Sequence, residues 1–83
     1  MADIELNVKG SYRRVAYTVS LIGTTLGQER WTFRVDIRAL QGWVAGDTFF
    51  SPGFYGTDAE ARDAAVELVK LYVDRQWELR LLQ

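Results

Sequence analysis

The chain has 83 residues, of which 48% are hydrophobic, and its 10 Lys and Arg against 11 Asp and Glu give a net charge of −1. A chain of this length forms one domain, residues 1–83, and its near-neutrality excludes a global field that attracts nucleic acid or an acidic membrane. The chain contains no cysteine, so neither a disulfide nor a thiolate metal site can supplement the hydrophobic core.

The N-terminal segment does not resemble a signal peptide, because Met1-Ala2-Asp3-Ile4-Glu5 is acidic and has no continuous apolar stretch. The apolar runs are also far shorter than a membrane span. We therefore expect a cytoplasmic protein with no membrane partner.

Apolar and polar residues alternate over the first quarter of the chain, which is the period-2 pattern of half-buried strands. The apolar positions are even-numbered from Ile4 to Val8 and odd-numbered from Val15 to Leu21. A one-residue shift moves every side chain to the other face of a sheet. We therefore predict a turn or a bulge at Gly10 between two strands.

The clearest alternation in the chain begins at Trp31 and ends at Ile37. A turn over residues 23–27 joins this strand to the preceding one and pairs Ile22 with Gln28, so that paired numbers sum to 50. The predicted pairs on the inner face are Val19–Trp31, Tyr17–Phe33 and Val15–Val35, and those on the outer face are Ser20–Arg30, Thr18–Thr32, Ala16–Arg34 and Arg14–Asp36.

A second turn is predicted at Gln41-Gly42, and a third strand is predicted between Trp43 and Phe50. Ser51-Pro52-Gly53 ends this strand, because proline cannot donate to a ladder.

Thr57 and Glu60 have the T-x-x-E spacing of a capping box and predict the start of an amphipathic helix that runs to about Arg80. Its apolar side comprises Ala61, Ala64, Ala65, Leu68, Val69, Leu71 and Tyr72. The predicted fold is α+β, a three- to four-stranded antiparallel β-meander followed by one long C-terminal α-helix packed on one face.

The residue types present exclude the commonest catalytic constellations. The chain has no histidine and no cysteine, which removes Ser–His–Asp and Cys–His arrangements, and its glycine spacing matches no phosphate loop. Glu60, Asp63 and Glu67 share a helix face and could hold a hard cation or divide acid and base roles, although a solvated face explains them as well. We predict a protein that is not an enzyme and binds neither cofactor nor metal.

Arg30, Arg34 and Arg38 recur at every fourth position on the outer face of the predicted hairpin, with Arg14 nearby. Such residues lie about 13 Å apart along a strand. This line of guanidinium groups can meet phosphates or an acidic protein surface. The alternative is an ordinary solvated sheet face that Asp36 partly neutralises.

An aromatic stretch precedes the predicted helix and comprises Trp43, Phe49, Phe50, Phe54 and Tyr55. A single helix cannot cover all of them in addition to the apolar face of the hairpin. Either several of these rings face a pocket or a partner, or Phe49 and Phe54 complete the core and only one or two rings stay exposed.

The end of the helix carries Trp77, Leu79, Leu81 and Leu82. A helix of about 24 residues spans ~36 Å and a strand of about eight residues ~27 Å, so the helix should extend beyond the sheet. We predict that these apolar residues pack against a second copy of the chain, the alternative being a frayed end.

Parts of the chain resemble two known families. The run from Trp31 to Val69, with Phe33-Arg34-Val35 followed by Gly56-Thr57, Glu60-Ala61-Arg62 and Ala64-Ala65, resembles the latter half of a double-stranded-RNA-binding domain. Ala45-Gly46-Asp47-Thr48 and the helix that follows are similar to HicB-type antitoxins, which share the sheet-and-helix plan. Each resemblance covers about half of the chain and implies association with nucleic acid or an antitoxin role.

We expect a small non-catalytic interaction protein that forms a homodimer and acts through its open sheet face and its aromatic loop. The residues expected to contact partners are Arg14, Arg30, Arg34, Arg38, Trp43, Phe50, Tyr55, Trp77 and Leu81. The alternative is a nucleic-acid-associated or antitoxin-like module that uses the Arg-lined face.

Overall fold

A computed structural model of the chain describes residues 3–24 and 30–81. Its elements are β1 (Asp3–Tyr12), β2 (Val15–Thr24), β3 (Arg30–Ile37), β4 (Asp47–Phe50) and α1 (Asp58–Leu81). The four strands form an antiparallel sheet in the order β1-β2-β3-β4, with α1 packed on one face. The predicted α+β fold is therefore confirmed. Within the described ranges, no helix is both long enough and apolar enough to cross a membrane.

A two-residue turn joins β1 to β2. Tyr12 pairs with Val15, and Arg13 and Arg14 between them have φ angles of 49° and 71°, as in a type I′ hairpin turn. The turn or bulge predicted at Gly10 is wrong, because this residue lies inside β1 and pairs with β2. The change of parity has another cause. Across this turn, even-numbered residues of β1 pair with odd-numbered residues of β2.

Aromatic rings cover two glycines of the sheet. A Cβ atom on Gly10 would lie 2.6 Å from the hydroxyl oxygen of Tyr17, and one on Gly23 would lie 2.8 Å from ring atoms of Trp31. Each ring occupies the space that a side chain on the opposite strand would need. The strands therefore continue through both glycines instead of ending there.

The pairing of β2 with β3 differs from the predicted register. Val19 pairs with Val35 and Thr24 with Arg30, so paired numbers sum to 54 instead of 50. The prediction was wrong because it ended the strand at Gly23, which Trp31 covers. Residues 25–29, which include Gln28 and part of the predicted turn, lie outside the described residues. Since the shift is even, every residue keeps its predicted face.

The second turn is confirmed at Gln41-Gly42. Leu40 and Val44 form a bridge around it, and Gly42 has a φ of 84°. The backbone N–H of Trp43 donates to the carbonyl of Leu40 at 2.9 Å, so this residue belongs to the turn. The predicted strand start at Trp43 is therefore wrong, and β4 contains only Asp47–Phe50.

The chain leaves the sheet after β4 and returns to it before the helix. The N–H of Ser51 donates to the carbonyl of Phe33, and the N–H of Tyr55 donates to the carbonyl of Trp31, both at 2.9 Å. Residues 52–54 therefore loop out between two contacts with the same strand. Proline at the start of this loop is consistent with the break, because it has no N–H to donate.

The helix begins as predicted, since the Thr57 hydroxyl accepts a hydrogen bond from the N–H of Glu60 at 3.1 Å. It ends at Leu81, one residue beyond the predicted end. Its fully buried residues recur at every fourth position and are Ala61, Ala65, Val69 and Val73. They pack on a buried sheet face formed by Val15, Val19, Leu21, Phe33, Val35 and Ile37. Leu71, predicted on the apolar side, is instead 66% exposed, because it lies about 200° around the helix from Val69.

Candidate interaction site on the open sheet face

The sheet face opposite the helix is formed by odd-numbered residues of β1 and even-numbered residues of β2, β3 and β4. Its central row across the strands is Asn7, Ser20, Arg34 and Phe50. Ser20 is buried although the helix does not cover it, because larger neighbours flank this small side chain. In this row Ser20 is buried, whereas Asn7, Arg34 and Phe50 are exposed.

Two exposed phenylalanines and two arginines lie along the β3–β4 side of this face, from its central row towards the end at Arg30. Phe50 pairs with Arg34 and is 70% exposed. Phe54 is 65% exposed, and the guanidinium carbon of Arg30 lies 5.4 Å from its ring centroid, which is the geometry of a cation–π contact. We call Arg30, Arg34, Phe50 and Phe54 the Arg–Phe patch.

Asp36 holds Arg34 within the Arg–Phe patch. The Nε of Arg34 lies 3.2 Å from one carboxylate oxygen of Asp36, and the hydroxyl of Thr48 donates to the other at 2.8 Å. This contact uses only Nε, so it leaves the two terminal nitrogens of the guanidinium for other acceptors. The ion pair with Asp36 thus orients Arg34 and leaves part of its guanidinium group for a ligand.

The described side chains of the open face carry four cations and two carboxylates. The cations are Lys9, Arg30, Arg34 and Arg38, and the carboxylates are Glu5 and Asp36. The first turn of α1 is acidic instead, with Asp58 and Glu60. Among its described side chains the open face therefore carries more cations than carboxylates, a balance that favours an anionic ligand.

The predicted line of arginines is only partly retained. Arg30, Arg34 and Arg38 share the open face, and the N–H of Arg38 extends the pairing by donating to the carbonyl of Ala16 at 2.9 Å. Arg14 lies in the β1–β2 turn, so its predicted position opposite Asp36 is wrong and Thr18 occupies that position.

The opposite end of the face contains a second candidate feature. Lys9, Ala16, Thr18, Asp36 and Arg38 line an open hollow of about 320 Å³. Its lining includes two cations, Lys9 and Arg38, and one carboxylate, Asp36. Lys9 was missing from the residues that the sequence indicated, although its parity in β1 places it on this face.

The helix end is covered more fully than the sequence indicated. The rings of Trp43 and Trp77 have centroids 4.8 Å apart, and the guanidinium carbon of Arg13 lies 5.4 Å from the centroid of Trp77. The sheet reaches this far because β1 and β2 each have ten residues, so Trp77 packs within its own chain. Leu79 and Leu81 remain exposed, and residue 82 lies outside the described residues.

The remaining predicted aromatic residues divide between the two sides of the sheet. Tyr55 stacks on Phe33 with centroids 5.9 Å apart, on the helix side, so it does not join the Arg–Phe patch. Phe49 contacts Tyr72 edge to face at 5.1 Å and is half-buried. Phe54 does not complete the core. The Pro52-Gly53 pair before it was the available signal for its outward position.

A polar cluster connects the β1–β2 turn to α1. The hydroxyl of Tyr12 donates to the Asp74 carboxylate at 3.0 and 3.2 Å, and a terminal nitrogen of Arg13 donates to it at 2.8 Å. The bond from Arg13 lowers the pKa of Asp74, with a further contribution from Tyr12. The carboxylate in turn raises the pKa of Tyr12. No sequence pattern indicated this cluster.

The three carboxylates that the sequence suggested for cation binding or acid–base chemistry do not form a site. Glu60, Asp63 and Glu67 are all exposed on α1, and no group of three acidic residues suited to a metal ion occurs in residues 3–24 and 30–81. Tyr72, whose pKa is raised mainly by burial, donates its hydroxyl to the carbonyl of Ala45 at 2.7 Å. This bond joins α1 to the loop before β4 and needs no catalytic explanation.

No protein-family model matches the chain, and comparisons with curated proteins and with solved structures likewise found no match.

Proposed function

We propose that this chain is a small non-catalytic binding protein that acts as a homodimer and binds an acidic, aromatic-containing peptide segment of another protein through the Arg–Phe patch. The observation that carries the proposal is the exposure of Phe50 and Phe54 beside Arg30 and Arg34. Exposed apolar patches rimmed by polar residues often mark an interface. Aromatic residues and arginine are also the residue types enriched among strong interface contacts.

The chemistry of the patch defines the kind of peptide expected. The guanidinium groups favour carboxylates, with which they form charge-assisted and bidentate bonds. The two phenylalanine rings favour an aromatic or aliphatic side chain between those carboxylates. A cytoplasmic location forms part of the proposal and is supported by a chain without cysteine.

Peptide display against the purified protein tests this proposal. Enriched peptides should combine Asp or Glu with an aromatic residue, and Phe50→Ser should weaken binding of a synthetic enriched peptide by about tenfold or more. Leu71→Ser is the matched control, because Leu71 is similarly exposed but lies on α1. Loss of binding in the Leu71 variant alone would instead assign recognition to the groove of about 720 Å³ between α1 and Phe49.

Binding of single-stranded nucleic acid is the second candidate function. The contact between Arg30 and Phe54 specifically favours it, since an exposed ring beside a guanidinium group can stack a base and neutralise its phosphate. The start of α1 does not support a double-stranded RNA-binding role, because Asp58 and Glu60 give it negative charge.

Fluorescence anisotropy with a labelled oligo(dT) strand at low salt tests the second candidate. The double substitution Arg30→Glu with Arg34→Glu should abolish binding, and Arg62→Glu on α1 should leave it nearly unchanged. Equal affinity of the double variant and the wild type would eliminate this function. Binding that persists in high salt would count against it too, because phosphate contacts weaken as salt rises.

A further inference from the structure

The two edges of the sheet differ in how well they are protected. β4 has four residues, and the loop at 52–54 interrupts its side of the sheet. β1, at the other edge, has ten residues and no proline. A long edge strand without proline or a bulge offers its backbone to another strand, and its charged residues restrict the registers it can adopt. We propose that β1 pairs with β1 of a second copy, antiparallel, about a twofold axis at Asn7. The inference rests on the homodimer of the proposed function and identifies its interface.

The backbone of β1 has the groups that such pairing needs. The carbonyl of Ala16 accepts a hydrogen bond from the N–H of Arg38 in β3, so it points away from Ser11, its partner in β1. Bonded and non-bonded pairs alternate along an antiparallel ladder. The odd-numbered residues of β1 therefore direct their N–H and C=O groups to the open edge, with Asn7 near the middle of the strand.

Symmetry restricts the possible registers. A twofold axis normal to the sheet pairs residues of like parity, because opposed residues in antiparallel strands point to the same face. With the axis at Asn7, Glu5 lies opposite Lys9 of the second copy, and symmetry forms this pair twice. Leu6 lies opposite Val8 of the second copy, also twice. Opposite charges and apolar pairs placed directly across a ladder stabilise it.

Neighbouring registers do not place Glu5 opposite Lys9. An axis at Leu6 places Glu5 opposite Asn7 of the second copy, and an axis at Val8 places it opposite Ser11. Among these three registers, only the one centred on Asn7 pairs Glu5 with a cation. In the Leu6 register Lys9 lies opposite Asp3 of the second copy, but that register pairs only residues 3–9, whereas the Asn7 register pairs residues 3–11. The longer ladder and the Glu5–Lys9 pair together select the Asn7 register.

The pairing also covers exposed apolar surface on the helix side of β1. Ile4 and Leu6 are 39% and 40% exposed, because α1 packs mainly over β2 and β3. Leu6 and Val8 line a hollow of about 170 Å³ beside the start of α1. In the Asn7 register they form non-bonded pairs, whose Cα atoms lie about 4.5 Å apart. The apolar strips of the two copies then meet at the axis.

Charge variants test the register by sedimentation equilibrium. Glu5→Lys and Lys9→Glu each place like charges opposite one another twice, so each should raise the dimer dissociation constant about tenfold or more. An equimolar mixture of the two variants has complementary charges at both pairs and should dimerise about as well as the wild type. Asp63→Lys, on the exposed side of α1, should have no effect.

Two results would overturn the inference in different ways. A wild-type chain that is monomeric up to high micromolar concentration overturns both the inference and the proposed homodimer. A dimer that neither charge variant weakens overturns the inference alone, since it assigns the homodimer to another surface.

Single cysteine variants locate the axis independently, because the chain has no other thiol. Asn7→Cys brings two thiols together in a bonded pair, where Cα atoms lie about 5.5 Å apart, within disulfide range. Mild oxidation should therefore yield a covalent dimer by intact mass. In Ser11→Cys the two thiols lie about 27 Å apart, so no covalent dimer is expected. Equal yields from the two variants, with circular dichroism showing both folded, would contradict an axis at Asn7.

Discussion

At the scale of single residues, Asp74 has a defined electrostatic role. It accepts hydrogen bonds from Arg13 and Tyr12, both at the β1–β2 turn. The side chains of Arg13 and Asp74 are both partly solvated, so this cluster acts mainly as a positional link between the turn and the last turns of α1. Lys70, with its Nζ 6.0 Å from the centroid of the Tyr12 ring, adds a further cation beside it.

The pKa shifts of this cluster give it a defined pH window. Because the folded pKa of Asp74 lies below its unfolded value, its contribution to stability is present above about pH 4 and is lost as pH falls through the folded pKa. The folded pKa of Tyr12 is raised. Its contribution is therefore present below about pH 10 and is lost as pH rises through the folded value.

We expect Asp74→Asn to lower the urea midpoint at neutral pH and to flatten its decline between pH 5 and pH 2. The reason is that the variant has no carboxylate at position 74 to protonate, so it lacks the ion pair with Arg13 at every pH. Urea unfolding followed by tryptophan fluorescence across this range measures both effects. Asp63→Asn, an exposed position on the same helix, should keep the slope of the wild type. An unchanged slope in the Asp74 variant would contradict the proposed link.

At the scale of elements, the interface between α1 and the sheet depends on one stripe of residues. Val69 is fully buried near the middle of that stripe, whereas Leu71 is 66% exposed. The two residues have similar hydrophobicity. Truncating each of them should therefore change the free energy of unfolding by amounts that depend on burial.

We expect Val69→Ala to lower the free energy of unfolding by about 2–3 kcal/mol, since it removes two buried methyl groups and leaves a cavity. Leu71→Ala should change it by no more than about 0.5 kcal/mol, despite the larger truncation. Chemical denaturation of both variants at one protein concentration provides the measurement. A cost for Leu71→Ala as large as that for Val69→Ala would mean that Leu71 is covered in solution.

The elements themselves were largely predictable from local patterns. Alternation identified the strands, and the spacing of Thr57 and Glu60 identified the helix start. The turn at Arg13-Arg14 was not predictable, because arginine has no preference for the positive φ angles it adopts there. The register of β2 and β3 was predicted wrongly because Gly23 was assigned to a turn. In the structure Gly23 lies within the sheet, where the ring of Trp31 covers it.

The candidate site was predictable only where strand parity decides it. Parity places Arg30 and Arg34 on one face of β3, whereas the face of Phe50 follows from the pairing of β4 with β3. The position of Phe54 depends on how the chain loops out at residues 52–54, which no periodic pattern encodes. The contacts of Trp77 likewise depend on the length of β1 and β2, and that length followed from turn positions that the sequence did not reveal.

At the scale of the whole molecule, the sheet has a stable centre and two unequal edges. β2 pairs along its length with β1 and with β3. β4 makes four pairs, and its far side is unpaired within the described residues. The helix contacts β2 and β3 most. Local opening should therefore begin at β4 and involve β2 last.

Native-state hydrogen exchange tests this order through two ladder amides. The N–H of Ser20 points to β3, because even-numbered residues of β2 pair with β3 in the same sense as Ala16 with Arg38. The N–H of Phe49 points to Val35 in the short pairing at the edge. We expect Ser20 to exchange only through global unfolding and Phe49 to open at a free energy at least about 1–2 kcal/mol lower. Below the dimerisation range the amide of Asn7 should exchange fastest of the three, and equal protection of Ser20 and Phe49 would show that β4 unfolds together with the centre.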